Sequence, residues 1–246
     1  MEKDMGDTSF EKEHINNIIY TKDLLLKQSK AYAIDLKKTM DELKNAHQQL
    51  KEAYLETIQR LVLATEYKDT YTGQHVIRMS RISAFIANKI GLPEKDVNNI
   101  RYAAPMHDVG KIGIPDYILT KNDKLTREEF DIIKTHCSIG AKILSNSQSE
   151  ILMLAESIAF SHHEKWDGKG YPLGLSGEEI PLPGRITGLV DVFDALISKR
   201  PYKEPYPIKV AYEIIKEKRN EHFDPDLVDI FFDNMDEIKQ MYILER

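Results

Sequence analysis

One stretch constrains this chain more than any other. Residues 12–65 contain neither proline nor glycine. Proline breaks a helix interior and glycine weakens one, so this run, full of Leu, Lys, Glu, Gln and Ala, predicts a long helix. Its apolar residues recur on a heptad. Ile19, Leu26, Ala33, Met40, Tyr54 and Leu61 share one position, with His47 in the same row. Ile15, Leu36, Leu43 and Leu50 share the other, interrupted by Lys22, Ser29 and Thr57. The pattern is firmest from Leu36 to Leu61 and predicts a coiled coil. Lys37, Lys44 and Lys51 each follow the second row and would meet like charges in an antiparallel pair, which favours a parallel homodimer. The competing reading is one amphipathic helix packed on the domain behind it. Residues 1–57 are therefore read as a helical signalling extension and residues 58–246 as a separate domain.

Beyond residue 58 the helical segments shorten and punctuation appears. Helices are predicted over 74–90, 94–106, 126–144, 149–162, 184–198, 207–218 and 225–243. The 126–144 helix opens on a capping box, Thr126 with Glu129. Loops rich in Gly, Pro and Asp fill 109–124 and 164–183. No alternating strand pattern of useful length occurs, so the fold class is all-α. No run of about 18 apolar residues marks a membrane span. The polar, acidic N-terminus argues against a secretory signal. Cys137 is the only cysteine, which excludes an internal disulfide framework and fits a reducing cytoplasm. A net charge of −6 without a basic stripe argues against a binder of duplex nucleic acid.

Metal-capable residues gather where these helices end or are interrupted: His75, His107, Asp108, His136, the adjacent pair His162 and His163, and Asp191. Neighbours in sequence point different ways on a regular helix. At a helix end the backbone can turn so that two adjacent imidazoles converge on one ion. Five histidines and two aspartates supply donors for two divalent metals with one carboxylate bridging. Imidazole with carboxylate and no thiolate suits Fe, Mn or Zn. His14, His47 and His222 fall outside this grouping, and Cys137 is read as a packing residue.

The blocks "HDVGKIGIPD", "HHEKWDGKGYP" and "DVFDALISKRPYK" closely resemble the HD-GYP family, the branch of the HD phosphohydrolases that acts on cyclic di-GMP. The resemblance spans residues 55–240, with the blocks in the family's order. It implies an all-α HD-type bundle. It further implies that His75, His107, Asp108 and Asp191 hold one metal, that His136, His162 and His163 hold a second, and that Asp108 bridges them. Members with a third metal carry a glutamate four residues before the first histidine. Tyr71 stands there, which implies a dinuclear site of Fe or Mn. Lys111 is expected to contact the phosphate or protonate the leaving 3′ oxygen. Tyr171 is expected to line the substrate groove and to brace the loop with Trp166. Arg200 and Lys203 match positions that grip phosphate and guanine, and Asp194 and Asp69 match positions that reach a guanine edge. Glu164 and Asp167 are expected to fix the loop or orient ligands.

Two metals lower the pKa of a bridging water and stabilise charge building on phosphoryl oxygens. The expected activity is therefore metal-dependent hydrolysis of cyclic di-GMP to pGpG, and on to GMP, in second-messenger signalling. An upstream sensor or signalling partner would act through the N-terminal helix. The alternatives are a cyclic-di-GMP-binding module with slow or no turnover, and a hydrolase of a mixed cyclic dinucleotide.

Overall fold

The computed structural model describes residues 7–66, 68, 73–198 and 204–243. Among them are ten α-helices and no strand, with only isolated bridges between Asp167 and Ser176 and between Arg219 and Phe223. The all-α reading holds. The chain divides into two units, Met1–Glu56 and Thr57–Arg246.

Helix α1 (Asp7–Glu66) supplies the first unit. Its heptad residues face water: Leu36, Met40, Leu43 and Leu50 are each more than 60% exposed (63, 62, 69 and 70%). Among the described residues no side chain covers the apolar seam over Leu36–Leu50.

The second unit contains the end of α1 and the helices α2 (Gly73–Lys89), α3 (Glu94–Ala103), α4 (Asp116–Leu119), α5 (Arg127–Leu144), α6 (Glu150–Ser161), α7 (Leu182–Ile197), α8 (Ile208–Glu217), α9 (Pro225–Asp233) and α10 (Met235–Ile243). One core packs Met79, Ile82 and Ile86 of α2 against Ile186, Leu189 and Phe193 of α7, closed by Ile215, Phe231 and Ile238. A second gathers Val62, Val76, Ala103, Met106, Ile158 and Ala159. Thr126 caps α5 in the expected reciprocal arrangement with Glu129.

Two expected helices are broken. The one predicted over 94–106 stops being α-helical at Ala103 and tightens into a 3-10 turn, Ala104–Met106, with Pro105 inside it. Proline lacks the amide that would continue the ladder. The one predicted over 225–243 is split into α9 and α10 at Asn234, whose side-chain amide donates to the Ile230 carbonyl. The expected 109–124 loop also contains structure: a 3-10 helix, Val109–Gly113, and α4.

Candidate metal centre

Five of the seven expected donors sit where regular helix gives way. His107 caps the 3-10 turn after α3, and Asp108 opens the Val109–Gly113 turn. His162 caps α6 and His163 follows it, while His75 is in the first turn of α2. Only His136 and Asp191 come from helix interiors, α5 and α7. Gly110 permits the approach. A Cβ there would lie 1.9 Å from the His136 carbonyl oxygen, so only glycine lets this turn rest on α5.

The donors fall into two adjoining groups, His75 with His107 and Asp191, and Asp108 with His136, His162 and His163. Asp108 joins them. Its Oδ2 lies 3.3 Å from His107 Nε2, and its Oδ1 lies 3.3 Å from His136 Nε2 and 3.7 Å from His162 Nε2. Asp191 Oδ1 is 4.0 Å from His75 Nε2 and 3.8 Å from His107 Nε2. His136 and His162 bring their Nε2 atoms within 3.5 Å.

The outer nitrogens decide which atom is presented. His107, His136 and His162 place Nδ1 at 2.9, 2.6 and 3.1 Å from the carbonyl oxygens of Ala104, Ile133 and Ile158. A carbonyl only accepts, so in each ring Nδ1 carries the proton and Nε2 offers its lone pair to the centre. His75 does the same with a carboxylate, donating Nδ1–H to Asp194 at 2.8 Å.

Protonation favours ligation too. Burial lowers His136 to about 4, and burial with neighbouring imidazoles lowers His163, so both rings are neutral at pH 7. For Asp108 burial opposes the charge, yet the Lys111 ammonium holds its carboxyl well below the usual range. Lys111 Nζ is 2.6 Å from Asp108 Oδ2. The buried Oδ1 atoms of Asp108 and Asp191 accept no hydrogen bond among the described residues. Desolvated carboxylate oxygens facing convergent imidazole lone pairs are what a divalent cation satisfies. The donor set fits such ions.

A cavity of about 340 Å³ opens beside the centre, lined by Asp108, Lys111, His136, His163, Tyr171 and Asp191, with an apolar wall including Ile133 and Leu196. The Tyr171 ring lies 4.8 Å from that of His163, and the Tyr171 amide donates to the His163 carbonyl. Burial raises the phenol, keeping it protonated. Glu164 fixes the loop by accepting from the amides of Leu173, Gly174 and Leu175. Asp167 accepts from the Lys169 amide. Cys137 is fully buried, its thiol raised by burial to a pKa above the ordinary range.

One expectation is corrected. Asp194 does not reach outward to a guanine edge. It is fully buried, and its oxygens are occupied by His75, Arg78, Ser198 and Tyr242. It orients His75 instead. Arg78, three residues after His75, was missed by the sequence reading. Its position one helical turn on was the available signal, but its partner lies 116 residues away. Asp69, Tyr71, Arg200 and Lys203 lie outside the described residues.

The sequence matches the family described as HD domain over residues 62–227. It is 42% identical over 221 residues to a cyclic di-GMP phosphodiesterase of Thermotoga maritima, covering 90% of this chain and 59% of that protein. It is 42% identical over 188 residues to a 3'3'-cGAMP-specific phosphodiesterase of Vibrio cholerae, covering 76% of this chain and 36% of that protein. The chain thus spans roughly a third to three-fifths of the length of these relatives. Among solved structures, an HDG"Y"P protein from Bdellovibrio bacteriovorus shares the fold at a TM-score of 0.53 and 19% identity, over 74% of this chain and 60% of that one.

Proposed function

The chain belongs to the HD domain family, in its HD-GYP branch, and from that membership we propose that it hydrolyses cyclic di-GMP to pGpG and then to GMP. The observation that carries the reading is the pair of donor groups joined through Asp108 at the mouth of a cavity. His75, His107, Asp108 and Asp191 would hold one divalent ion, and Asp108, His136, His162 and His163 the other. Such ions, when bound, supply Lewis acidity towards phosphoryl oxygen and lower the pKa of water. Iron or manganese suits this nitrogen and oxygen set, and Tyr71, in place of a glutamate, favours two ions over three.

The chain's own groups do the rest. Lys111 stands on the cavity wall beside Asp108, and in this reading it would give a proton to the leaving 3′ oxygen. Water oxygen would bond to phosphorus and give up one proton to solvent. The bond from phosphorus to O3′ would break, and that oxygen would take the Lys111 proton, which solvent then restores. Tyr171 and the apolar wall would receive ribose or base. Arg200 and Lys203 would grip phosphate and guanine, Arg200 by its planar fork, and Asp69 would reach a guanine edge.

The test is chromatographic. Protein prepared without oxygen and loaded with Fe(II) or Mn(II) should release pGpG or GMP. Asp108→Ala should lose at least about a thousandfold in rate, because it removes the group shared by both ions. No product from metal-verified wild type would sink the reading. The Vibrio relative, named for 3'3'-cGAMP, favours one second reading, a mixed cyclic dinucleotide as substrate. Competition between the two dinucleotides decides it.

The exposed seam over Leu36, Met40, Leu43 and Leu50 supports a parallel homodimer through α1, which an upstream sensor in a reducing cytoplasm would address. Sedimentation should give a dimer, and Leu43→Asn with Leu50→Asn a monomer. A monomeric wild type would remove this part of the proposal.

A further inference from the structure

The loop 164–177, which carries Tyr171, is held from behind by residues that never touch the cavity. At its entry the Trp166 amide donates to the His222 carbonyl at 3.1 Å and the Asp167 amide to the Glu221 carbonyl at 2.8 Å. The turn 218–224 that offers those carbonyls is anchored by Phe223, buried in the core shared by α7 and α9. Three chain segments then meet at one guanidinium. Arg185, in the first turn of α7, donates from Nε to the Ile180 carbonyl at 2.9 Å and from Nη1 to Asp224 Oδ2 at 2.5 Å. Its guanidinium sits 5.6 Å from the centre of the Trp166 ring. Asp224 is itself fixed, because its other oxygen caps α9 at the Asp226 amide, 2.9 Å away.

The far end of this loop is the cavity wall. Tyr171 lies on His163, and Gly170 lets the loop close. A Cβ on Gly170 would come within 2.3 Å of the Lys165 nitrogen. The loop's entry, its exit and the turn behind it are therefore tied to α7, the helix that also presents Asp191.

We propose that Arg185 is a positioning residue of the reaction. It clamps Trp166, the Ile180 carbonyl and Asp224, and so holds Tyr171 at the substrate cavity. The proposal rests on the phosphodiesterase reading above. A planar fork with a stacking face is required, since a lysine ammonium can pair with Asp224 but cannot also stack on indole and bond Ile180 in that geometry. Small misplacement of a binding group far from the chemistry is costly in an enzyme.

Trp166 is the only tryptophan in the chain, so its fluorescence reports the clamp directly. The experiment uses the full chain loaded with Mn(II), as wild type, Arg185→Ala and Arg185→Lys. It reads KM and kcat for cyclic di-GMP, bound metal, helicity and quenching of Trp166 by acrylamide. In Arg185→Ala, KM should rise about tenfold or more while kcat falls less than about threefold. Metal content should hold and quenching should increase. The loss on bis(p-nitrophenyl) phosphate, a diester with no nucleobase, should be smaller. Arg185→Lys should recover only part of the KM. An unchanged KM in a helical Arg185→Ala overturns the proposal, as does a collapse of kcat together with loss of metal. If Arg185→Ala loses helicity, the KM of Arg185→Lys decides by the same criterion. A wild type inert on cyclic di-GMP overturns the phosphodiesterase reading and this proposal with it, whereas an active wild type with an unmoved KM in the variants overturns the clamp alone.

Discussion

The two halves of the donor cluster are oriented by different means. In the half made by Asp108, His136, His162 and His163, the outer nitrogens of His136 and His162 lean on carbonyls three and four residues earlier in their own helices. That support comes with helix geometry. In the half made by His75, His107 and Asp191, His75 instead donates to a buried carboxylate 119 residues away. Burial alone would raise Asp194, but the hydrogen bonds from His75 and Arg78 hold it well below the usual carboxylate range. A carboxylate behind a ligand imidazole makes the ring a stronger donor, whereas a carbonyl mainly fixes its direction. In one half His136 and His162 are fixed locally by neutral carbonyls; in the other His107 is fixed in the same way by Ala104, but His75 is fixed across the fold by a charged carboxylate.

Asp194→Asn breaks this contrast most sharply. It keeps size and shape but removes the charge behind His75 and leaves Arg78 without its fork partner. Affinity for one ion should fall about 10- to 100-fold, the scale seen when such an orienting partner is removed. Stability should fall by about 3 kcal/mol or more, because a buried cation loses its counter-charge. Titration calorimetry with Mn(II) should then resolve one weakened and one retained site. Equal weakening of both would mean that the halves do not differ as their geometry suggests.

The same contrast explains what the sequence made legible. His107 with Asp108, and His162 with His163, are visible because each lies at a helix end and its support is near in sequence. His75, His136 and Asp191 lack one or both of these marks and were collected by residue type and context, and the structure brings all seven residues together. Asp194 was misread because its partners, His75 and Arg78 from α2 and Tyr242 from α10, are remote in sequence. An aspartate on α7 looks the same in sequence whether it faces solvent or the core. The helices were legible from periodicity and capping; Pro105 marked the break after Ala103 but was passed over, and the break at Asn234 carried no such mark. Both segments keep an apolar pattern through the break, so pattern alone carried the helix past it. The heptad of α1 was plain in sequence, and among the described residues its seam stays exposed.

A smaller effect sharpens the comparison from the other half. Glu164 is buried and accepts three loop amides, two through Oε1 and one through Oε2. Glutamine would turn an amide donor towards one or two of them. Glu164→Gln should cost about 1–3 kcal/mol, the range for leaving buried donors unpaired. It acts on the loop beside His163, so KM for the dinucleotide should rise several-fold with both ions retained. Metal analysis beside steady-state kinetics checks this. Loss of an ion would show that Glu164 supports the centre and not only the loop.

The smallest effect comes from a histidine that belongs to neither half. Burial, with Lys165 nearby, lowers His222 to about 4. Its unfolded value is about 6.5, so between pH 6.5 and 4 the unfolded chain binds a proton that the folded chain refuses. The stabilisation is complete above pH 6.5, declines as pH falls towards 4, and changes no further below that. At pH 5 the decline should be at most about 2 kcal/mol from this group. His136 and His163 are also lowered by burial, so they add to the same slope in metal-free protein. Bound metal would bias those two rings further against protonation and leave His222 untouched. Urea midpoints at pH 7.5 and 5 should therefore differ less in His222→Gln than in the wild type, with metal or without. A slope that His222→Gln leaves unaltered would assign all of the acid sensitivity to the cluster, making the donor rings the only buried imidazoles that matter to stability.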